Sequence, residues 1–211
     1  MSERIVWPKL RYPLVAILRG IRPEETEGVV TALIEVGFEA IEIPLNSPEP
    51  FVSIEKAAKL APANVLIGAG TVLSVENVDR LNDVGGRLLV SPNVEPDVIR
   101  RASGHGMVTM PGVLTPTEAL VAAKAGATGL KFFPASIIGP AGINAIRTIL
   151  PKDLVIAAVG GVSDKNFADY TSAGIMAFGL GTSLYKPGMT AAEVRERATV
   201  TLSAYDAAIG G

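Results

Sequence analysis

A lysine and a glutamate stand inside two short apolar segments of this 211-residue chain. Lys131 lies in Gly129–Phe133 and Glu42 lies in Ala40–Ile43, and both segments are typical of buried strands. Burial of an amine in an apolar strand disfavours the ammonium form and leaves a neutral nucleophile that can attack a carbonyl carbon. A carboxylate near that amine can act as general acid and base. The two residues therefore predict Schiff-base chemistry, with Lys131 as the nucleophile and Glu42 as the proton carrier.

A purely structural interpretation of the same two residues is a buried ion pair between Lys131 and Glu42. Breaking such a pair is costly, but keeping one often stabilises a fold no better than an apolar pair does. An ion pair would leave two charges at strand ends without a purpose, so we favour the catalytic interpretation. The remaining lysines fall in helical or loop stretches where a solvated ammonium group is expected: Lys9, Lys56, Lys59, Lys124, Lys152, Lys165 and Lys186.

Residues after other predicted strands could bind the anionic groups of a substrate. Arg19 offers a planar guanidinium fork that suits a carboxylate, the alternative being a capping or surface arginine just past a strand. Thr71 could donate a hydroxyl to the same carboxylate. Turns that contain glycine can present backbone N–H groups to a phosphate, although glycines also occur in tight turns for packing reasons. The predicted phosphate-binding residues lie in two such turns: Gly160, Gly161, Gly181, Thr182 and Ser183.

Eight short apolar segments, each followed by a helical stretch, would form the scaffold that holds these residues. Their starts fall about 20 to 26 residues apart, the length of one strand, one helix and two loops. The segments are apolar throughout, which is typical of parallel strands covered on both faces. The predicted strands are Leu14–Leu18, Ala40–Ile43, Val65–Ala69, Leu88–Val90, Met107–Met110, Gly129–Phe133, Leu154–Val159 and Ile175–Leu180. We therefore predict an α/β fold, a single-domain (β/α)8 TIM barrel over residues 1–211, with function at the C-terminal strand ends.

Local signals place helices between these strands, and one alternative fold remains. Helix starts are predicted near Pro23, Ser47, Ser74, Thr115 and Ser163, and helix ends near Gly37, Gly104, Gly126 and Gly174. The segment before Leu14 could add a short helix that covers the floor of the barrel. A doubly wound open sheet is the alternative fold, but Gly68-Ala69-Gly70 lacks the third glycine of the dinucleotide fingerprint.

Composition excludes several other classes of protein. The formal net charge is −2 and no basic stripe stands out, so we expect neither nucleic acid nor a membrane surface as a partner. Cysteine is absent and His105 is the one histidine, so no metal site or other cofactor is predicted. His105 itself is expected on the surface at a helix C-terminus. No apolar run approaches the roughly 20 residues of a membrane helix or forms a signal peptide, so we expect a cytoplasmic protein.

Five stretches of the chain together resemble the 2-keto-3-deoxy-6-phosphogluconate and -galactonate (KDPG and KDPGal) aldolases, a class I, metal-free family. The resemblance implies that Lys131, in its Lys-Phe-Phe-Pro context, forms the Schiff base and that Glu42 is the acid and base. It also implies that Arg19 and Thr71 bind the substrate carboxylate and that the protein is a homotrimer, as members of the family commonly are. The matching stretches are Ala16–Gly20, Ile41–Pro48, Gly68–Val72, Leu130–Pro134 and Val159–Val162.

The resemblance also bears on the substrate. Gluconate-type members typically carry Glu-Val-Thr-Leu-Arg-Thr in the second strand and a threonine before the glycine pair. Here the second strand continues Glu42-Ile43-Pro44-Leu45-Asn46-Ser47, and Val159 precedes Gly160. Both features are similar to the galactonate branch. At the phosphate turn Thr182-Ser183 follows Gly181, where the family more often has serine directly after glycine, so a hydroxyl is retained.

The sequence therefore predicts a carbon–carbon lyase that cleaves 2-dehydro-3-deoxy-6-phosphogalactonate to pyruvate and glyceraldehyde 3-phosphate, with the gluconate epimer as the alternative substrate. A sugar-phosphate epimerase is an enzyme rival, but the pentose-phosphate type needs several metal-binding histidines and this chain has one. A barrel that binds sugar phosphates without turning them over is the rival that is not an enzyme.

Overall fold

The structure, a computed structural model, describes residues 5–210, in which strands and helices alternate. The strands are β1 (Leu14–Ile17), β2 (Ala40–Pro44), β3 (Leu66–Gly70), β4 (Leu88–Val90), β5 (Val108–Met110), β6 (Gly112–Val113), β7 (Gly129–Phe132), β8 (Val155–Val159) and β9 (Ala177–Leu180). The helices are α1 (Pro23–Val36), α2 (Pro50–Leu60), α3 (Val75–Asp83), α4 (Pro96–Gly104), α5 (Pro116–Ala125), α6 (Ala135–Arg147), α7 (Phe167–Thr171) and α8 (Ala191–Ile209). The predicted α/β class is confirmed.

All the paired strands run parallel in one sheet of order β5-β4-β3-β2-β1-β9-β8-β7-β6. The two strands at the ends of that order, β5 and β6, follow each other in sequence and are separated only by Pro111. The Pro111 carbonyl accepts a hydrogen bond of 2.9 Å from the Lys131 N–H, which continues the ladder toward β7. Nine parallel strands therefore form a nearly closed barrel surrounded by eight helices within residues 5–210.

Apolar side chains cover both faces of the sheet, and they form two separate clusters. Ile41, Ile43, Leu130 and Phe132 belong to the larger cluster, which includes the helices. Ala40 belongs to the smaller cluster, made of strand residues and a few N-terminal side chains, which fills the barrel interior. Side chains alternate between the faces along a strand. Glu42, between Ile41 and Ile43, and Lys131, between Leu130 and Phe132, therefore face the barrel interior.

Each predicted strand is found within two residues of its predicted bounds, and several helix starts follow their signals. The Ser74 hydroxyl caps α3 and the Thr115 hydroxyl caps α5. α7 begins later than Ser163 predicted, at Phe167. The reason is a hydrogen-bonded turn before it, in which the Asn166 side chain accepts from the Ser163 N–H at 2.9 Å and donates to the Gly161 carbonyl at 2.9 Å.

The predicted short helix before Leu14 is wrong for residues 5–13, which contain no helix; residues 1–4 lie outside the described part of the chain. Pro8 and Pro13 interrupt this segment, and the residue before a proline is disfavoured in helical conformation. Ile5, Trp7 and Leu10 nevertheless pack against the interior cluster. The segment thus covers the N-terminal end of the barrel with irregular backbone. None of the helices within residues 5–210 has the length and apolar character needed to cross a membrane.

Candidate active site

A cavity of about 620 Å³ opens at the C-terminal ends of the strands. Its wall is built by residues at the ends of β1, β3, β7, β8 and β9 and in the turns that follow them, together with Pro92 in the loop after β4. The structure therefore brings together all the predicted site residues except Glu42, which does not line the cavity. The predicted residues in the wall are Arg19, Thr71, Lys131, Gly160, Gly161, Gly181, Thr182 and Ser183.

Lys131 is held by β7 with its side chain almost fully buried, at 6% exposure. Its ammonium nitrogen Nζ lies 4.7 Å from the centre of the Phe133 ring, which forms part of the cavity wall. Burial lowers the pKa of Lys131; the Glu42 carboxylate opposes this shift and the Arg19 guanidinium adds to it. The lowered pKa raises the fraction of Lys131 that is a neutral amine at neutral pH, which is the form that attacks carbonyl carbon.

Glu42 is buried even more completely, at 1% exposure, on β2. Its Oε2 atom has no hydrogen-bond partner within the described residues. Burial raises the pKa of Glu42 to about 7, although the positive charges of Lys131 and Arg19 pull it down. No salt bridge within 4.0 Å joins Glu42 to Lys131 in residues 5–210, so the alternative of a contact ion pair finds no support. A carboxyl group with this pKa can both take up and release a proton near neutral pH.

Gly70, at the end of β3, provides the space that the Glu42 carboxylate occupies. A Cβ atom added to Gly70 would lie 2.1 Å from Oε2 and 2.4 Å from the carboxylate carbon of Glu42. A side chain at this position would therefore displace the carboxylate. Gly68-Ala69-Gly70 had been considered as an incomplete dinucleotide motif and as part of a stretch that resembles the aldolase family, and neither pattern indicated this function of Gly70.

Asn46 and Ser47, in the loop after β2, form hydrogen bonds with the side of the cavity that contains Arg19. The Arg19 guanidinium is exposed and donates a hydrogen bond to the Asn46 side-chain oxygen, from the loop after β2. The Gly20 N–H donates to the Ser47 hydroxyl at 2.9 Å. Thr71 has a φ of 57°, in the left-handed region that is unfavourable for a β-branched residue. Such strain is concentrated at functional sites, where the surrounding structure enforces it.

The two predicted phosphate turns form the other side of the cavity. Gly160 and Gly161 have φ angles of 89° and 81°, which L side chains rarely adopt. A Cβ atom on Gly161 would also lie 2.6 Å from the Ser136 Cβ, whereas one on Gly181 would meet nothing within 4 Å. The Ser183 hydroxyl donates to the Val162 carbonyl at 3.2 Å and so connects the two turns. The turns thus leave an open, glycine-lined space of the kind that backbone N–H groups use to bind an anion.

Several residues of the cavity wall lie outside the predicted set. Ser163, which had been predicted only as a helix start, lies in the wall together with Phe133 and Pro92. Lys186 had been grouped with the solvated lysines; it is exposed, and it also lines the cavity. Lys186 lies in the loop after β9, and this position could have identified it as a site residue. It lies several residues beyond the end of the strand, however, so the signal was weak.

His105 lies outside this cavity, as its predicted role implies. It ends α4, and its Nε2 atom lies 2.8 Å from the Asp79 carboxylate, which also accepts from Arg101 at 2.6 Å. The prediction of a histidine at a helix C-terminus is confirmed. Within residues 5–210 no three acidic or histidine side chains come together as a group that could hold a metal ion.

Fold and site together define an α/β barrel protein with a cavity at its strand ends, a buried amine in the cavity wall and a buried carboxyl group in the barrel interior. A model of the KDPG and KHG aldolase family matches residues 9–200. The chain is 70% identical over 209 residues to a "Probable 2-dehydro-3-deoxy-6-phosphogalactonate aldolase" of Rhizobium meliloti (strain 1021), covering 99% of each protein. It is 46% identical over 199 residues to the 2-dehydro-3-deoxy-6-phosphogalactonate aldolase of Escherichia coli (strain K12), covering 94% of this chain and 97% of that protein.

A solved structure described as native KDPGal superposes with a TM-score of 0.94 at 45% identity, covering 98% of this chain and all of the other. The chain therefore belongs to the KDPG and KHG aldolase family.

Replacing Gly70 by Ala should displace the Glu42 carboxylate and lower kcat by about 100-fold, the scale of a misplaced catalytic group. The kinetic constant would be measured with any substrate that the wild-type enzyme cleaves. Gly104→Ala, on α4, is the matched control because an added Cβ meets nothing within 4 Å there. Unchanged kcat in Gly70→Ala would show that the close packing of Gly70 and Glu42 has no part in the chemistry.

Replacing Glu42 by Gln should change how stability depends on pH. The folded-state pKa of Glu42 is about 7, above the roughly 4.3 of an exposed glutamate. The folded protein therefore binds more protons than the unfolded chain between these values, and it loses stability as the pH rises through them. Between pH 5 and pH 8 the wild type should therefore lose on the order of 3 kcal/mol of unfolding free energy that Glu42→Gln, which has no carboxyl group to titrate, does not lose.

Urea unfolding at the two pH values measures this difference. Parallel stability profiles of the wild type and Glu42→Gln would contradict the raised pKa.

Proposed function

We propose that the chain is a class I aldolase that cleaves 2-dehydro-3-deoxy-6-phosphogalactonate to pyruvate and D-glyceraldehyde 3-phosphate. One observation carries the proposal: a buried amine with a lowered pKa lines the strand-end cavity, and a buried carboxyl group with a raised pKa lies close enough in the barrel interior for the two charges to shift each other's pKa. Such opposed shifts are characteristic of acid and base groups that work near neutral pH. The family and the names of the two relatives support the reaction and the substrate class.

The reaction begins when neutral Lys131 attacks the C2 carbonyl of the substrate. The carbinolamine that forms loses water and becomes a protonated imine, which withdraws electrons from C3. A base then removes the proton of the C4 hydroxyl, the C3–C4 bond breaks, and D-glyceraldehyde 3-phosphate leaves. The electrons of that bond form an enamine, which is protonated at C3 and hydrolysed to pyruvate, regenerating the Lys131 amine.

Glu42 is the proposed base and acid of this sequence. Because its carboxyl group does not line the cavity, we assign the transfer of protons between Glu42 and the substrate to a bridging water molecule. Arg19 and Thr71 hold the substrate carboxylate, and the turns that contain Gly160, Gly161 and Gly181–Ser183 hold the phosphate. The cavity places these two groups of residues in one continuous wall, with Lys131 also in that wall.

The galactonate configuration is preferred over gluconate in this proposal. Val159, which precedes Gly160, lines the cavity and offers no hydrogen bond to a substrate hydroxyl. Asn46, after β2, is hydrogen-bonded to Arg19 at the other wall. The gluconate epimer is the alternative substrate.

We propose that the fold is a single-domain (β/α)8 TIM barrel over residues 1–211. β5 and β6 flank Pro111 and act as one strand, so that eight strand units match eight helices in residues 5–210. We also propose a cytoplasmic homotrimer that binds neither nucleic acid nor membranes. Large apolar side chains at the surface, such as Ile137 at 74% exposure, support burial against another subunit.

Steady-state release of pyruvate, followed with a coupled lactate dehydrogenase, tests the proposed reaction. The wild type should cleave the galactonate substrate with a kcat/KM at least about tenfold above that for its C4 epimer, the scale on which one polar contact discriminates. Lys131→Met should lose at least about a thousandfold in kcat because it lacks the nucleophile. Lys124→Met, at an exposed lysine of α5, is the matched control.

A preference for the gluconate epimer would contradict the proposed galactonate substrate and support the alternative substrate, with the aldolase reaction unchanged. No pyruvate from either epimer would contradict the aldolase and favour a barrel that binds sugar phosphates without turnover.

A further inference from the structure

Lys186 occupies a position in the cavity that the glycine turns alone do not explain. The ionisable residues in the wall of the cavity are Arg19, Lys131 and Lys186, and no acidic residue of the described chain lines it. Lys131 must be neutral to attack a carbonyl carbon. Arg19 is hydrogen-bonded to Asn46 and is already assigned to the substrate carboxylate in the proposed function. Lys186 is therefore the cation that remains for a second anionic group of a ligand.

The backbone that carries Lys186 is held firmly. Leu184 and Tyr185, directly before it, are buried, and both of their N–H groups donate to the Gly181 carbonyl at 2.9 Å. The Lys186 carbonyl accepts from the Met189 N–H at 3.2 Å. Pro187 packs against Gly20, where an added Cβ would lie 2.8 Å from the Pro187 side chain. Hydrogen bonds and packing therefore fix the backbone of Lys186 next to the turn that contains Gly181.

The ammonium group of Lys186 has no salt-bridge partner within 4.0 Å among residues 5–210. On its outer side a second cavity, of about 490 Å³, shares Ser183 and Lys186 with the first. The charged groups that face Lys186 there are Asp164, Glu193, Glu196 and Arg197. The Glu193 carboxylate is engaged by the N–H and hydroxyl of Thr190, at 2.8 and 2.7 Å, and so belongs to the cap of α8. The lysine is therefore available to a ligand in the first cavity.

We propose that Lys186 is a specificity-determining residue that binds the phosphomonoester group of the substrate, in addition to the backbone of the two glycine turns. The inference rests on the proposed function. A flexible ammonium group next to N–H donors is a common way to bind a phosphate as a point charge. Lys186 would also attract the anion into the cavity, an effect that weakens as salt is added. It takes no part in bond making, so it should act on binding rather than on the chemical step.

The test compares Lys186→Gln and Lys186→Arg with the wild type. In Lys186→Gln, KM for the phosphorylated substrate should rise about tenfold with kcat within about twofold, and Lys186→Arg should restore most of the KM. Cleavage of the same keto acid without its phosphate should be equal in all three proteins. Lys152→Gln, in the loop before β8 and so at the opposite end of the barrel, is the control with the same change of charge.

An unchanged KM in Lys186→Gln, or an equal loss on the substrate that lacks phosphate, would overturn the assignment while leaving the aldolase reaction intact. Titration with inorganic phosphate, followed by thermal unfolding, gives a second readout that does not need turnover. The apparent affinity for phosphate should fall about tenfold in Lys186→Gln. An identical phosphate response in Lys186→Gln and the wild type would overturn the assignment even if the wild type cleaves no substrate.

Discussion

Burial of Lys131 and Glu42 in the interior of the same barrel is the constraint on which the site depends. Each group would be more stable as an ion in water, and the barrel removes that water from both. No short salt bridge between them compensates for the loss within the described chain. The pKa values of the two groups therefore move toward each other: the share of neutral amine at Lys131 rises, and Glu42, with a pKa of about 7, can exchange a proton near neutral pH. The fold stabilises this arrangement with two apolar clusters, one on each face of the sheet.

The strands and the loops after them carry different functional groups of the site. β2 and β7 are buried on both sides and fix the two groups of the proposed chemistry. The loops after the strands carry the residues proposed to bind the two anionic ends of the substrate. Their backbone is unusual where it borders the cavity, at Thr71, Gly160 and Gly161, all with positive φ. A rigid interior with specialised loop ends is the arrangement that lets one barrel architecture support many reactions.

Residue type and spacing were enough to predict the eight main strands and the positions of Lys131 and Glu42, because an ionisable residue in an apolar strand is a local signal. Three features depended on contacts between distant segments and could not be predicted. Gly70 makes room for a carboxylate on a neighbouring strand, which only the strand register reveals. Pro8 and Pro13 already exclude a helix before β1, but that this segment covers the barrel floor follows from packing of Trp7 against strand residues in three dimensions. Lys186 reaches the cavity because its loop packs on Gly20.

The central claim is that the Lys131 amine is neutral and reachable by a carbonyl compound. Reduction with borohydride in the presence of pyruvate at neutral pH, followed by mass spectrometry of the digested protein, tests it most directly. The account predicts a single modified peptide that contains Lys131, while peptides with the solvated lysines stay unmodified. An unmodified Lys131 peptide, with the protein still folded, would contradict it.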